Sequence, residues 1–433
     1  MSARTARLLA AVCALALIGA APAESMIEQV FRLRTEAAEA AKAGDLKTAQ
    51  ARLESARTLF PTSPGLLIRL ARVQAANGQP EAAVATLKAY ADLGLVFDVA
   101  NDPALKDLAA RPDFALVATA MKTNAQARGT AELVVTVDRG DFIGEGVAVL
   151  PDGDLLLSGV AARAVLRVHE GQLSPFLQGD ADTGALFGMA LDQDGAVWIA
   201  EAWGADLPGG SGPARTGLLK LAPDGRVLAR YPLVDDGKPR QLGDVIVDEA
   251  GTVYATDSVS GGVYRLRAGE AAPSLFAQSN AIKSPQGMGL CSGALLVADY
   301  SSGLYRIDTD DGAVSLVAGQ GGAALVGLDG VARDPSEDRR GLRSRVLTLD
   351  FIATQNGVEP QRLMGLRLDR GCRKLIWAEA RLANMPGIDD LSLGAVGQHH
   401  YYFVGHSQWG AWGGEGKPVK DDQPVRLYSV PIF

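Results

Sequence analysis

Carboxylates and an amide recur at the start of a repeated unit in the C-terminal two thirds of this 433-residue chain. The units open EGVAVLPDG from Glu145, FGMALDQDG from Phe187, GDVIVDEAG from Gly243, QGMGLCSGA from Gln286, DGVARDPSE from Asp329 and DDLSLGAVG from Asp389. Glu145, Gln286, Asp329 and Asp389 carry side-chain oxygens of the kind that hold a hard cation or move a proton. Asp244 stands one position after the third opening, an offset that can turn it away from the others. Only a fold that gathers the unit starts can bring such distant groups together.

The spacing supplies that fold. Successive starts lie 42, 56, 43, 43 and 60 residues apart, and a period near forty with about four short strands per unit is the signature of a β-propeller. In the first unit, Gly146–Leu150, Asp154–Ser158, Ala164–Val168 and Leu173–Leu177 read as four strands, with Pro151-Asp152-Gly153 as a hairpin turn. The last unit offers only three strands, while an orphan strand at 132–138 precedes the first. Pairing the orphan into the last unit would close the ring and remove two exposed sheet edges. Six blades with a composite last blade are therefore predicted.

Three connections from second to third strand are long: WGADLPGGSGPART, FIATQNGVEPQ and HSQWGAWGGEGKPVKDDQP. They share the face on which the first strands begin and carry Trp203, Trp409 and Trp412. Long loops on a rigid scaffold are where recognition residues collect, so these rings, with Asp244 and Asp389, are expected to contact a small-molecule substrate. His406 ends a strand on the same face and is a candidate proton shuttle. Gly405-His406-Ser407-Gln408-Trp409 only begins like a nucleophile elbow, since Trp409 replaces the closing glycine and no helix follows. Asp257 and Asp299, at similar strand ends, read as hydrogen-bonding residues between blades, and His399 and His400 as structural.

Ahead of the propeller, residues 26–125 have helical character. Gly44, Ala49, Leu53, Ala56 and Pro61 stand at tetratricopeptide spacing, and Gly78, Ala83 and Leu87 repeat the first three 34 residues later. Residues 98–121 are expected to form an amphipathic capping pair of helices. The polar stretch 122–131 marks the domain boundary. The fold class is thus multidomain, α then all-β: tetratricopeptide-like helical repeats over 26–125, then a six-bladed β-propeller over 132–433. The helical module offers a groove for a protein partner or packs on the propeller as a support.

Residues 1–23 read as a signal peptide, with Arg4 and Arg7, the run LLAAVCALALIGA and the site Ala21-Pro22-Ala23. Export, with a periplasmic destination, and no membrane span follow as expectations. A formal net charge of −8 argues against nucleic-acid partners. Cys291 and Cys372 fall in different units, and no disulfide is expected between them.

With these motifs in place, the propeller resembles the regucalcin/gluconolactonase family and its strictosidine-synthase-like branch. Glu145-Gly146 opens the first unit and Asp329-Gly330 the fifth, as in the family. Gln286-Gly287 opens the fourth, where the family has Asn-Gly, and ADYSSGLYRI at 298–307 is similar to the second branch. The resemblance implies that Glu145, Gln286 and Asp329 ligate one divalent metal, usually calcium, over which a lactone or ester is hydrolysed. Asp329 then doubles as the base that positions water. The alternative is a non-catalytic periplasmic adaptor, its helices holding a protein and its propeller a ligand. No cofactor pattern of a redox quinoprotein is present.

Overall fold

This computed structural model describes residues 24–335, 347–412 and 423–432. Residues 1–23, expected to be a signal peptide, and residues 413–422 of the last long loop lie outside the described residues.

The N-terminal module consists of five α-helices, α1 (Met26–Lys42), α2 (Leu46–Leu59), α3 (Pro64–Ala76), α4 (Pro80–Ala91) and α5 (Ala115–Asn124). Each start has a local cause. Ser25 and Glu28 form a reciprocal capping box on α1, Asp45 accepts from Thr48 N on α2, and prolines occupy the first turn of α3 and α4. Gly44 and Gly78 make the two hairpin turns at φ +82° and +70°, a region that costs glycine nothing. The expected capping pair is half helix. Residues 106–110 and 112–114 form 3₁₀ turns, because Pro112 removes a backbone donor and restricts Arg111, and only α5 is a regular helix. No helix among the described residues is long and apolar enough to cross a membrane.

Six four-stranded antiparallel sheets follow. Five are simple meanders over 144–177, 185–232, 242–278, 285–316 and 328–383. The sixth is composite: Gly394–Val396, His400–His406 and Val425–Pro431 are completed by Glu132–Val137, which pairs antiparallel with Val425–Pro431. The ring closes as the orphan strand predicts.

The two modules pack directly on each other. Ile27 of α1 joins Ala281, Ile282 and Tyr305 of blades three and four, and the core of α3 to α5 includes Ala324 and Val358 of blade five. Buried Arg362 donates to Gln355 Oε1 at 2.6 Å and to the carbonyls of Leu93 and Gly94, while Val96 N donates to Glu359 O at 2.7 Å.

One expectation fails. Cys291 and Cys372 form a disulfide, their Cα atoms 6.0 Å apart despite an 81-residue separation. Cys291 ends the first strand of blade four and Cys372 sits in the turn between the last two strands of blade five, so both lie on one face of neighbouring blades. Ser292 N donates to Arg370 O and Arg306 Nε to Gly371 O across the same seam. Membership of different units is no barrier when the units are neighbours around a ring.

Candidate functional site

The opener motif is a bulge motif. In blade one the ladder runs Gly144 opposite Gly159, then Val147 opposite Leu157, so Glu145 and Gly146 together face Ser158. The same slip occurs at Leu186/Met189, Leu242/Val245, Pro285/Met288 and Leu328/Val331. A bulge bends its strand and re-aims a side chain, which here turns the openers toward the ring axis. Ser158, Thr256 and Thr354 fix three of the bulges by accepting from Gly146 N, Asp244 N and Gly330 N. The glycine after the opener is a packing requirement. A Cβ on Gly146 would lie 2.5 Å from Phe187 O, and one on Gly287 2.3 Å from Val331 N.

Blade three inverts the pair, placing Gly243 at the opener and Asp244 at the glycine position. Asp244 therefore projects between blades, against Gly188, and accepts from Met288 N at 3.0 Å. The one-position offset does not remove it from the centre.

Glu145, Asp244, Gln286 and Asp329 line one cavity of about 280 Å³, with Trp409, Asn356, Tyr300 and Asp390. Glu145 Oε2 accepts from Trp409 Nε1 at 2.6 Å and Ser392 Oγ at 2.7 Å. Asp329 Oδ2 accepts from Asn356 Nδ2 at 2.8 Å, and the same nitrogen donates to Leu391 O. Gln286 donates its amide nitrogen to Ser284 Oγ at 2.8 Å.

Burial dominates the electrostatics. It raises the Glu145 carboxyl above the ordinary glutamate value despite the Trp409 and Ser392 bonds. It lifts Asp244 to about 7, and holds Asp329 well above the aspartate range with added repulsion from Glu145 and Asp244. Tyr300 is pushed up to about 12 by burial and by Asp329. No lysine, arginine or histidine lines this cavity among the described residues. Buried carboxylates without a cation shed their charge by taking up protons.

The cavity fits a hard cation in two respects. Its donors are oxygens, and Asn356 Oδ1 is buried with no hydrogen-bond partner. Among the described residues no three His, Cys, Asp or Glu side chains are arranged to hold a metal. A cation would therefore draw on amide oxygen as well as carboxylate, as in the set Glu145, Gln286 and Asp329.

The other candidates lie elsewhere. Asp389 is 60% exposed and accepts from His406 Nδ1 at 2.7 Å, and neither residue lines the cavity. The carboxylate that the sixth unit places at the centre is instead Asp390, held by Ser407 Oγ at 2.6 Å. Trp203 stacks under the Arg215 guanidinium at 4.3 Å, and Trp412 packs on the apolar cluster around Leu207. Of the three tryptophans only Trp409 reaches the cavity. Asp257 and Asp299 tie loop backbone within their own blades, accepting from Gln241, Val259 and Ser260, and from Lys283, Ser284 and Ser301. Sequence reasoning passed over Asn356, Tyr300 and Asp390. Asn356 had a signal, since it sits in one of the three long loops. Tyr300 lies one residue past a strand end.

Comparison with known proteins bears on the modules separately. Residues 40–111 match the tetratricopeptide repeat family model. No curated protein matches the chain by sequence. Among solved structures the chain is similar to a gluconolactonase from Xanthomonas campestris, with 16% identity over 72% of this chain and 92% of that one and a TM-score of 0.45. It is also similar to a PQQ-bound aldose sugar dehydrogenase from Streptomyces coelicolor, with 15% identity, 70% and 98% coverage and a TM-score of 0.45. The virginiamycin B lyase from Staphylococcus aureus gives 12% identity, 70% and 100% coverage and a TM-score of 0.43. What the protein does must be argued from the site itself.

Proposed function

We propose that the protein is an exported, metal-dependent hydrolase of lactones or esters, with one divalent cation, calcium, and the substrate held together at the propeller centre. The observation that carries this reading is the cluster of buried and half-buried carboxylates with no basic side chain lining the cavity among the described residues, and an orphaned amide oxygen, Asn356 Oδ1, at its edge. Glu145, Gln286 and Asp329 would hold the cation, with Asp244 and Asn356 adjacent. A bound divalent cation would supply polarisation of the substrate carbonyl and acidify a nearby water.

The protein's own residues do the rest. Asp329 accepts the proton of the attacking water at Oδ1, the oxygen not engaged by Asn356. Asn356 fixes the carboxyl plane, and Trp409 and Ser392 fix Glu145. Trp409, Leu391 and Leu393 contribute apolar lining beside the carboxylates. The disulfide supports export, because such bonds persist in oxidising compartments. The test is hydrolysis of a panel of lactones and aryl esters by chelator-treated protein with calcium added back. Activity restored by calcium and lost in Asp329→Asn supports the reading. No hydrolysis with calcium, magnesium, manganese or zinc rejects it.

The tetratricopeptide match favours one second reading, a non-catalytic adaptor whose helices bind a protein partner. It predicts ligand binding at the centre without turnover.

A further inference from the structure

A second cavity of about 510 Å³ lies where the helical module meets blade five. One wall is α3 with Arg69 and Arg72, another is Tyr90 and Phe97, and the third is the blade-five loop at 356–359. Asn356 lines both cavities, so the groove and the central site are neighbours across that one residue. The wall is rigidly placed. Arg362 and Val96 fasten the helical module to the same loop, and Arg72 is committed to Asp102 through Nε at 3.0 Å and Nη2 at 2.6 Å.

Arg69 has no such commitment. Among the described residues it has no carboxylate partner, and its charged neighbour is Arg34 of α1. Arg34 is partly buried beside the Phe31 ring, also without a carboxylate, and burial and Arg69 together lower its pKa. Of the two only Arg69 lines the cavity, and Arg34 adds positive charge close to it, a field that favours an anion. The groove's one carboxylate, Glu359, is raised by its own burial and so resists charging there. Arginine presents a planar fork that matches carboxylate or phosphate oxygens. The acidic central cavity and the basic wall beside it are complementary halves of one surface.

We propose that this groove is the anion-binding extension of the central site, that Arg69 is its anchoring residue, and that the protein takes small molecules bearing a carboxylate or phosphate distal to the group held at the propeller centre. The helical module then forms a wall of the site and determines specificity. This inference rests on the centre being a small-molecule site but not on turnover there.

The test is calorimetric and uses the full mature protein with calcium, at low ionic strength. Gluconate and 6-phosphogluconate serve as probes, because they share one end and differ in the distal charge. The phosphorylated probe should bind at least tenfold more tightly. Arg69→Gln should abolish most of that preference, whereas Lys47→Gln, the same charge change at an exposed site on α2, should leave it intact. Equal affinities, binding of neither probe, or an undiminished preference in Arg69→Gln would overturn the proposal. So would tighter binding of an acidic hexapeptide than of either probe, since that marks a groove for a protein partner. Gluconolactone hydrolysis in the same samples separates the two claims. Hydrolysis without phosphate preference sinks only this inference, and preference without hydrolysis sinks only the hydrolase.

Discussion

Replacing Asp244 with Asn should stabilise the cation-free protein above neutral pH while weakening its hold on calcium. Asp244 is partly buried between blades, and burial lifts its carboxyl from 3.8 to about 7, with Glu145 adding repulsion. A carboxyl whose folded pKa lies above its unfolded one stays protonated longer in the folded state. Its stabilising contribution is complete below about pH 4 and is lost as pH rises through about 7. That span corresponds to roughly 4 kcal/mol for Asp244 alone. Glu145 and Asp329 are raised as well, so the cluster titrates over one broad range. Asparagine keeps an oxygen for Met288 N and cannot ionise. In urea denaturation after chelator treatment, Asp244→Asn should exceed the parent protein by about 2–4 kcal/mol at pH 8 and converge with it near pH 4. Calcium at pH 8 should narrow the gap, because it stabilises the parent more. A parent stability that is flat from pH 5 to 8, or equal stability of the two proteins at pH 8, would refute the reasoning.

Trp409→Phe keeps the ring but removes the donor to Glu145 Oε2; calcium affinity should fall about tenfold, near the value of one hydrogen bond to a charged group. Trp412→Ala should leave that affinity unchanged, as titration calorimetry can check. Cys372→Ser should lower unfolding stability by about 2–4 kcal/mol, because the bond closes a long loop; no difference from the parent under oxidising conditions would argue that the seam holds without it. Deleting residues 425–433 should strip the partner from strand Glu132–Val137 and leave two open edges prone to aggregation, seen as loss of the monomer peak in size exclusion.

The architecture was legible because a repeat writes its own period. Short turns and apolar runs recur from blade to blade, and the missing fourth strand of the last unit pointed to Glu132–Val137. The helix-turn glycines were equally readable, since Gly44 and Gly78 do the one thing only glycine does cheaply. The site was readable only in part. Openers announce themselves, yet which way an opener points depends on a bulge, and a bulge is a property of two strands. Hence Asp244, at a glycine's place, faces inward, and in the sixth unit Asp390 does so rather than Asp389. Trp203 ends its strand whereas Trp409 lies in the turn three residues past a strand end, and that placement brings Trp409 onto Glu145. The disulfide was missed for a related reason, because adjacency around a ring is not adjacency in sequence.

The central claim is that the buried carboxylates exist to hold a cation. Calcium titrated by calorimetry into chelator-treated protein at pH 7.5 tests it most directly. One site per chain is expected, with a melting temperature that climbs with the logarithm of calcium above the dissociation constant, and Asp329→Asn should abolish most of both signals. No binding heat, together with a melting temperature indifferent to calcium, magnesium, manganese and zinc, would contradict the account and leave the openers as hydrogen-bonding residues of a propeller tunnel.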